Sequence, residues 1–185
     1  MNISWVVAES YQFDPTVDVD SLKHIGPIWG SWKTWRGCST DNVICHNRSK
    51  AQELIKRKFQ EGCNFYIPEK NFQAIQRPTN VKIYKGEFEQ ETDTLEDIIA
   101  LHLCVPTSDI ILMAGFDLSP IVDPGDRYEL HKIKNYHGML HSLISSCSDK
   151  QFVLVNYQLE LAKSYRALTN LTCDTMENVL QLLAQ

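Results

Sequence analysis

At 185 residues and a net charge of −5, with 43% hydrophobic and 22% charged side chains, the chain has the balance of a globular protein and the length for one well-filled core. The acidic balance argues against general nucleic-acid binding, which draws on a basic face, and no apolar run approaches the ~20 residues a bilayer span needs. The opening MNISWVVAESYQ lacks the basic start and long apolar stretch of a secretory signal, so a cytoplasmic protein with no membrane partner is expected.

Residues 3–8, ISWVVA, form a short β-rich run that reads as a buried first strand. Residues 18–24 suggest one or two helical turns, stopped by Gly26 and Pro27. From Gly26 to Asn47 the chain reads GPIWGSWKTWRGCSTDNVICHN and holds three of the four tryptophans. It follows neither a strand nor a helix period, so it is expected to be a long ordered loop with a brief strand at Val43, Ile44 and Cys45. The spacing of three between Trp29, Trp32 and Trp35 would set them on one side of a turn-like helix. Asn47 or Ser49 can cap the next helix, in which Ala51, Leu54, Ile55, Lys58 and Phe59 share a side and which Gly62 ends.

Residues 64–67 read as a strand closed by Pro68, residues 71–75 as a short helix, and residues 81–84 as an alternating strand. Thr94, with Asp97 three residues on, resembles a capping box for a helix carrying Leu95, Ile98, Ile99 and His102. Residues 110–114, IILMA, are apolar at every position, as a strand covered on both faces should be. A long helix over residues 128–147 carries Ile133, Tyr136, Leu140, Leu143 and Ile144 on one stripe. A second all-apolar strand, FVLV, occupies residues 152–155. A helix near residues 159–168, a short strand at residues 171–173 and a last helix from a Thr175 cap to Leu183 complete the chain. Strands alternating with helices, and apolar throughout where longest, imply a single α/β domain over residues 1–185. Its sheet is mainly parallel with helices on both faces, a Rossmann-like architecture.

Six cysteines, none spaced C-x-x-C, are expected to be reduced and to act as small hydrophobes. Basic residues gather between Lys33 and Lys58, and acidic ones between Glu87 and Asp97. Solvated helix faces account for most of this, while Arg36 and Arg48 stand as candidates for an anion site.

In an open parallel sheet, ligands bind beyond the carboxyl ends of the strands. The residues there are Glu9 and Ser10, His46 and Asn47, the segment GFDLS at residues 115–119, and Asn156 and Tyr157. Asp117 is the most specific, because Gly115 lets the backbone turn and Asp117 then points into the crevice; the alternative is an Asp that caps the next turn. No Gly-rich phosphate fingerprint follows a strand, which argues against a dinucleotide cofactor or an ordinary NTPase, and no cofactor is assigned. His137 and His141 share a helix face, but Gly138 stands where a zincin has Glu, and no metal site is assigned. His137 is a candidate general base near Asp117, or else a helix histidine bonded to a neighbour. His137 lies roughly 13 Å down the helix from Tyr128 at ~1.5 Å per residue, so His131 is kept beside it as the nearer candidate.

Three pieces together resemble a known family. They are Gly30-Ser31 followed by TDNVICHN, then ILMAGFDLS with a Tyr and a His on the next helix, then FVLVNYQLEL. Their order, over about residues 30–161, is similar to that in sialyltransferase-like, Rossmann-type proteins that bind a nucleotide-activated donor. The resemblance implies that Ser31 and Asn47 touch the nucleotide, that Asp117 meets its ribose or base side, and that His137 is the base. The chain also looks like small cytosolic proteins carried by tailed phages of marine bacteria, which would place it in the host cytoplasm.

Two functions from different classes follow. One is a protein that binds a nucleotide or sugar nucleotide, a small glycosyltransferase-like transferase. Its catalytic residues would be Asp117, His137 and His131, and its ligand contacts Ser31, Trp32, Trp35, Arg36, Asn47 and Asn156. The other is a non-enzymatic phage factor that binds a host protein through a surface rich in Trp and Arg, the residues favoured at binding hot spots. In either case the tryptophans serve as lid or anchors, unless they pack over the open end of the sheet.

Overall fold

In the computed structural model of the chain, residues 1–8, 22–34, 40–72, 80–85 and 96–183 are described. β1 (Ile3–Val7) lies inside an eight-stranded sheet in which every neighbouring pair is parallel. On one side follow β2 (Ile28–Ser31), β3 (Asn42–Ile44), β4 (Asn64–Pro68) and β5 (Val81–Tyr84). On the other follow β6 (Ile110–Ala114), β7 (Gln151–Val155) and β8 (Leu171–Asp174). The α/β architecture with a parallel sheet is therefore as the sequence implies, and the two all-apolar runs, β6 and β7, are adjacent and paired from Ile110↔Gln151 to Met113↔Leu154.

The helices that flank the sheet include α1 (Arg48–Lys56), α2 (Glu69–Phe72), α3 (Glu96–Cys104), α4 (Arg127–Ser146), α5 (Lys163–Arg166) and α6 (Met176–Leu183). Side chains alternate across each strand, so each strand feeds two cores. Val6, Trp29, Ile111, Met113, Phe152 and Leu154 pack with Ile98 and Leu101 of α3 and Leu140 and Ile144 of α4. Trp5, Val7, Leu112, Ala114 and Val155 face the other way, onto Leu22 and onto Met176 and Val179 of α6. Val43, Cys45, Phe65 and Ile67 meet Ala51 and Leu54 of α1 in a third cluster. α1 joins strands that step away from β1 in one direction, and α4 joins strands that step the opposite way. A single handedness of crossover puts such helices on opposite faces.

The segment expected as a long loop contains a strand. Residues 28–31, IWGS, pair with β1 on one side and β3 on the other. All four are buried, so a strand this short shows no alternation and its sequence carries no period to read. Trp29 accordingly lies in the core against Tyr66, with ring centroids 5.4 Å apart, and the expected row of Trp29 and Trp32 on one side does not form. The helix expected over residues 159–168 shrinks to α5, and Leu159 is exposed. Residues 9–21, Trp35, Arg36, Cys38 and the Thr94 cap lie outside the described residues. Cys45, Cys63, Cys104, Cys147 and Cys173 are free thiols. Burial pushes Cys63 and Cys104 up to about 11, so both stay protonated near neutrality. No helix among the described residues is long and apolar enough to cross a membrane.

Two glycines make opposite predictions. Gly26 enters β2 against the backbone of β1, where a Cβ would collide with the Ile3 carbonyl group. Gly26→Ala should cost about 3 kcal/mol, because backbone cannot yield as a side-chain tip can. Gly138 sits inside α4 with open space around any Cβ. Gly138→Ala should add about 1 kcal/mol through helix propensity alone. Urea unfolding of the two variants measures both; a neutral Gly26→Ala would mean that β2 does not pass this close to β1.

Candidate functional site

The order of strands reverses between β1 and β6. From β1 the chain proceeds to β2 on one side, and from β6 to β7 on the other. The two strands lead to neighbours on opposite sides of the sheet, the arrangement that opens a crevice at the carboxyl ends of a parallel sheet. The last rung is the bond from the Ala8 N–H to the Ala114 carbonyl, 2.9 Å.

Asp117 stands at this reversal. Gly115, with φ of 80°, turns the chain out of β6 at an angle that few other residues accept. Phe116 and Leu118 then bury their side chains in the core, which leaves Asp117 between them facing solvent. Its Oδ1 accepts hydrogen bonds from the Ser119 N–H at 2.9 Å and the Ser119 hydroxyl at 2.6 Å. Asp117 is thus a turn cap and an exposed carboxylate at once, with one oxygen in each role. The turn is anchored on both sides: the Leu118 N–H donates to Tyr157 Oη at 3.1 Å, and the Leu118 carbonyl accepts from the Ala162 N–H at 2.9 Å.

α4 begins only at Arg127, where Asp126 Oδ1 caps it by accepting from the Tyr128 and Glu129 N–H groups. Between the preceding loop and the helix lies a groove of about 470 Å³, lined by Asp117, Pro120, Ile121, Val122, Ile133, Tyr136 and His137, with Glu129 and Lys132 at the helix side. His137, not His131, is the histidine that shares a cavity with Asp117. The two differ by six residues, a net rotation of about 120° on a helix of ~3.6 residues per turn. His131 is exposed, with Nε2 3.1 Å from Asn135 Nδ2, and does not line the groove.

Aromatic side chains pack behind the groove. Tyr165 Oη donates to the His137 carbonyl at 2.9 Å and lies 3.3 Å from His137 Nδ1. His137 and His141 both pack on the Tyr165 ring, at 5.8 and 5.5 Å between centroids, rather than turning together toward a metal. Burial lowers the pKa of His137, and the negative charge of Asp117 opposes that shift. Burial raises Tyr136, Tyr157 and Tyr165, and the charge of Asp117 adds to each. One exposed carboxylate is therefore felt by four neighbouring aromatic groups. Tyr165 had no signal in the sequence, since its short helix KSYR is polar on every other side, and Tyr136 read only as part of a core stripe.

The other expected residues that are described, Ser31, Trp32, Asn47 and Asn156, fall elsewhere along the same sheet edge. Trp32 and Asn47 line a separate hollow of about 380 Å³ with Lys33, Ser49, Lys50, Glu53 and Glu96. Asn47 Oδ1 is the cap of α1, accepting from the Lys50 N–H at 2.9 Å, and Lys50 Nζ lies over the Trp32 ring at 4.7 Å. Ser31 is fully buried, and its hydroxyl accepts from the Lys33 and Thr34 N–H groups at 3.1 and 3.3 Å. It closes a turn, its hydroxyl satisfying the backbone where β2 ends. Asn156 holds φ of 55° and accepts from the Met176 N–H at 2.8 Å, which starts α6. It borders a third hollow, of about 290 Å³, with Tyr157 and Asp174. The structure thus unites Asp117 with His137 and sets Asn47 and Asn156 apart from them. Among the described residues no three His, Cys, Asp or Glu side chains converge to hold a metal. No family model, no curated protein and no solved structure matches this chain.

The lowered pKa of His137 makes stability depend on pH in a defined direction. The unfolded chain takes up the proton near the ordinary value of 6.5, and the folded chain only below it. The contribution is whole above that value and declines as pH falls through it toward the lowered folded pKa. His137→Gln should flatten this decline in urea midpoints taken from pH 7.5 to pH 5. Asp117→Asn should lower the His137 pKa further, as read by a proton NMR titration of the imidazole; an increase would mean that the charge of Asp117 does not reach the ring.

Proposed function

We propose that the chain binds a nucleotide or sugar nucleotide in the crevice at the reversal of the sheet, and that it acts as a small transferase. One observation carries this reading: an exposed carboxylate whose Oδ2 has no partner among the described residues follows the strand at the reversal, beside an imidazole in the same groove. A charged acceptor there suits the hydroxyls of a ribose or sugar. A neutral imidazole beside it suits removal of a proton from an acceptor hydroxyl near neutral pH. In that reaction the acceptor oxygen bonds to the sugar carbon, the bond from that carbon to the phosphate oxygen breaks, and the nucleotide leaves with the electron pair. The groove volume lies within the ~300–1,000 Å³ usual for small-molecule sites. The rival reading, a Trp- and Arg-rich surface for a protein partner, is weakened because Trp29 belongs to the core and Trp32 lies against Lys50.

A thermal-shift panel of nucleosides, nucleoside diphosphates and nucleotide sugars tests this. Ligand at about 100 times its Kd should stabilise the fold by ~2.7 kcal/mol. Asp117→Asn keeps an oxygen for the Ser119 turn, so its melting temperature without ligand should match the wild type. It should bind about 10- to 100-fold more weakly, the loss of one hydrogen bond to a charged group. A lower melting temperature together with undiminished binding would assign Asp117 to the turn alone.

A further inference from the structure

The contacts of Tyr165 decide which nitrogen of His137 carries its proton. Tyr165 is almost wholly buried, and its Oη touches two groups of the same residue: the His137 carbonyl oxygen at 2.9 Å and Nδ1 at 3.3 Å. A phenol has one proton to give, and a carbonyl oxygen can only accept. The shorter contact therefore takes the Tyr165 proton. The longer one is a hydrogen bond only if Nδ1 is the donor and Oη the acceptor. A neutral imidazole has one N–H, so Nε2 is left with a bare lone pair. Burial keeps both partners in these states, holding Tyr165 protonated and His137 neutral.

Asp117 completes the pattern. Both donors of Ser119 go to Oδ1, which leaves Oδ2. Asp117 and His137 line one groove, and no hydrogen bond joins them. Both are acceptors. A phosphate or carboxylate oxygen between them would face a carboxylate and a lone pair, and the ammonium that lines the same groove, Lys132 Nζ, is already held by Glu129 at 3.1 Å. A hydroxyl satisfies either, and two neighbouring hydroxyls satisfy the pair. The walls between them, Ile121, Val122, Ile133 and the Tyr136 ring, suit the C–H face of a sugar ring.

We propose that Tyr165 is a positioning residue that holds His137 as the Nδ1–H tautomer, so that the inner end of the groove presents two acceptors and takes the vicinal hydroxyls of a sugar or ribose, not an anionic group. The ligand half rests on the reading of this crevice as a binding site; the tautomer half does not.

Long-range proton–nitrogen NMR spectra of protein labelled with ¹⁵N-histidine test both halves. At neutral pH the wild type should show His137 with a protonated Nδ1 and a bare Nε2. Tyr165→Phe should lose that pattern in favour of Nε2–H, while the His131 signals stay unchanged. An Nε2–H pattern in the wild type overturns the positioning role even if the variant fails to fold. Uridine and methyl glucoside should shift Nε2 of the wild type, and inorganic phosphate should not. A shift with phosphate alone overturns the ligand class. Silence from all three probes overturns the ligand half and the crevice reading with it, while the tautomer stands or falls on the unliganded spectrum.

Discussion

The pairing of β1 with β6 is the constraint on which the rest of this fold depends. Five rungs run in register from Ile3↔Ile110 to Val7↔Ala114. Below them the Asp109 and Ile110 N–H groups both reach the Asn2 carbonyl, at 2.7 and 3.1 Å. Ser108 Oγ donates to Ser4 Oγ at 2.7 Å on the same seam, where both side chains are buried. The strands so joined have other strands outside them and core clusters above and below, so every backbone group on the seam must find its partner within the sheet. Because β1 continues to β2 on one side and β6 to β7 on the other, the pairing also divides the helices between the faces. The crevice at the far end of the seam is a consequence of topology before any side chain contributes to it.

Chemistry at that crevice arises from how one short turn is satisfied. Leu118 has its N–H and its carbonyl held by Tyr157 and Ala162, and Phe116 is in the core, so Asp117 has no freedom to swing inward. The bonds from Ser119 fix its remaining torsions. A turn cap and a binding carboxylate are commonly weighed as alternatives for an Asp after a strand. Here they are compatible, since a carboxylate has two oxygens and the turn uses one. The same economy applies to His137, whose carbonyl and Nδ1 meet a single tyrosine hydroxyl.

The strands that a reader of the sequence can find are those buried on both faces over several residues, such as IILMA and FVLV, where no helix or loop tolerates such a run between breakers. The helices could be placed wherever a cap preceded a stripe, as Asn47 does for α1. β2 was hidden because IWGS has four residues, one of them glycine, and its identity as a strand comes from the neighbours on either side. Asp117 was legible for the same reason as β6: a strand that ends in Gly leaves its next polar residue at the sheet edge. The choice between His131 and His137 was not, because it depends on how far a loop carries the start of a helix, and loop residues do not encode that distance. Ser31 and Asn47 share an ambiguity. Small polar residues at strand ends suit ligands and backbone N–H groups equally, and in this fold the backbone holds both.

The central seam also sets the order in which the chain can fold. β1 is synthesised well before the strand that completes it, which lies more than a hundred residues on, as the Asn2–Asp109 contact across 107 positions illustrates. While the ribosome makes the intervening half, β1 has β2 along one edge and an open row of peptide groups along the other. Strand pairings this distant in sequence are reached slowly, since the loop they close is entropically costly before any contact forms. A nascent chain with Trp5 and Val7 on an uncovered strand is exposed to association with other chains during that interval. Expression yield, more than the stability of the finished protein, would then register mutations that slow the arrival of β6.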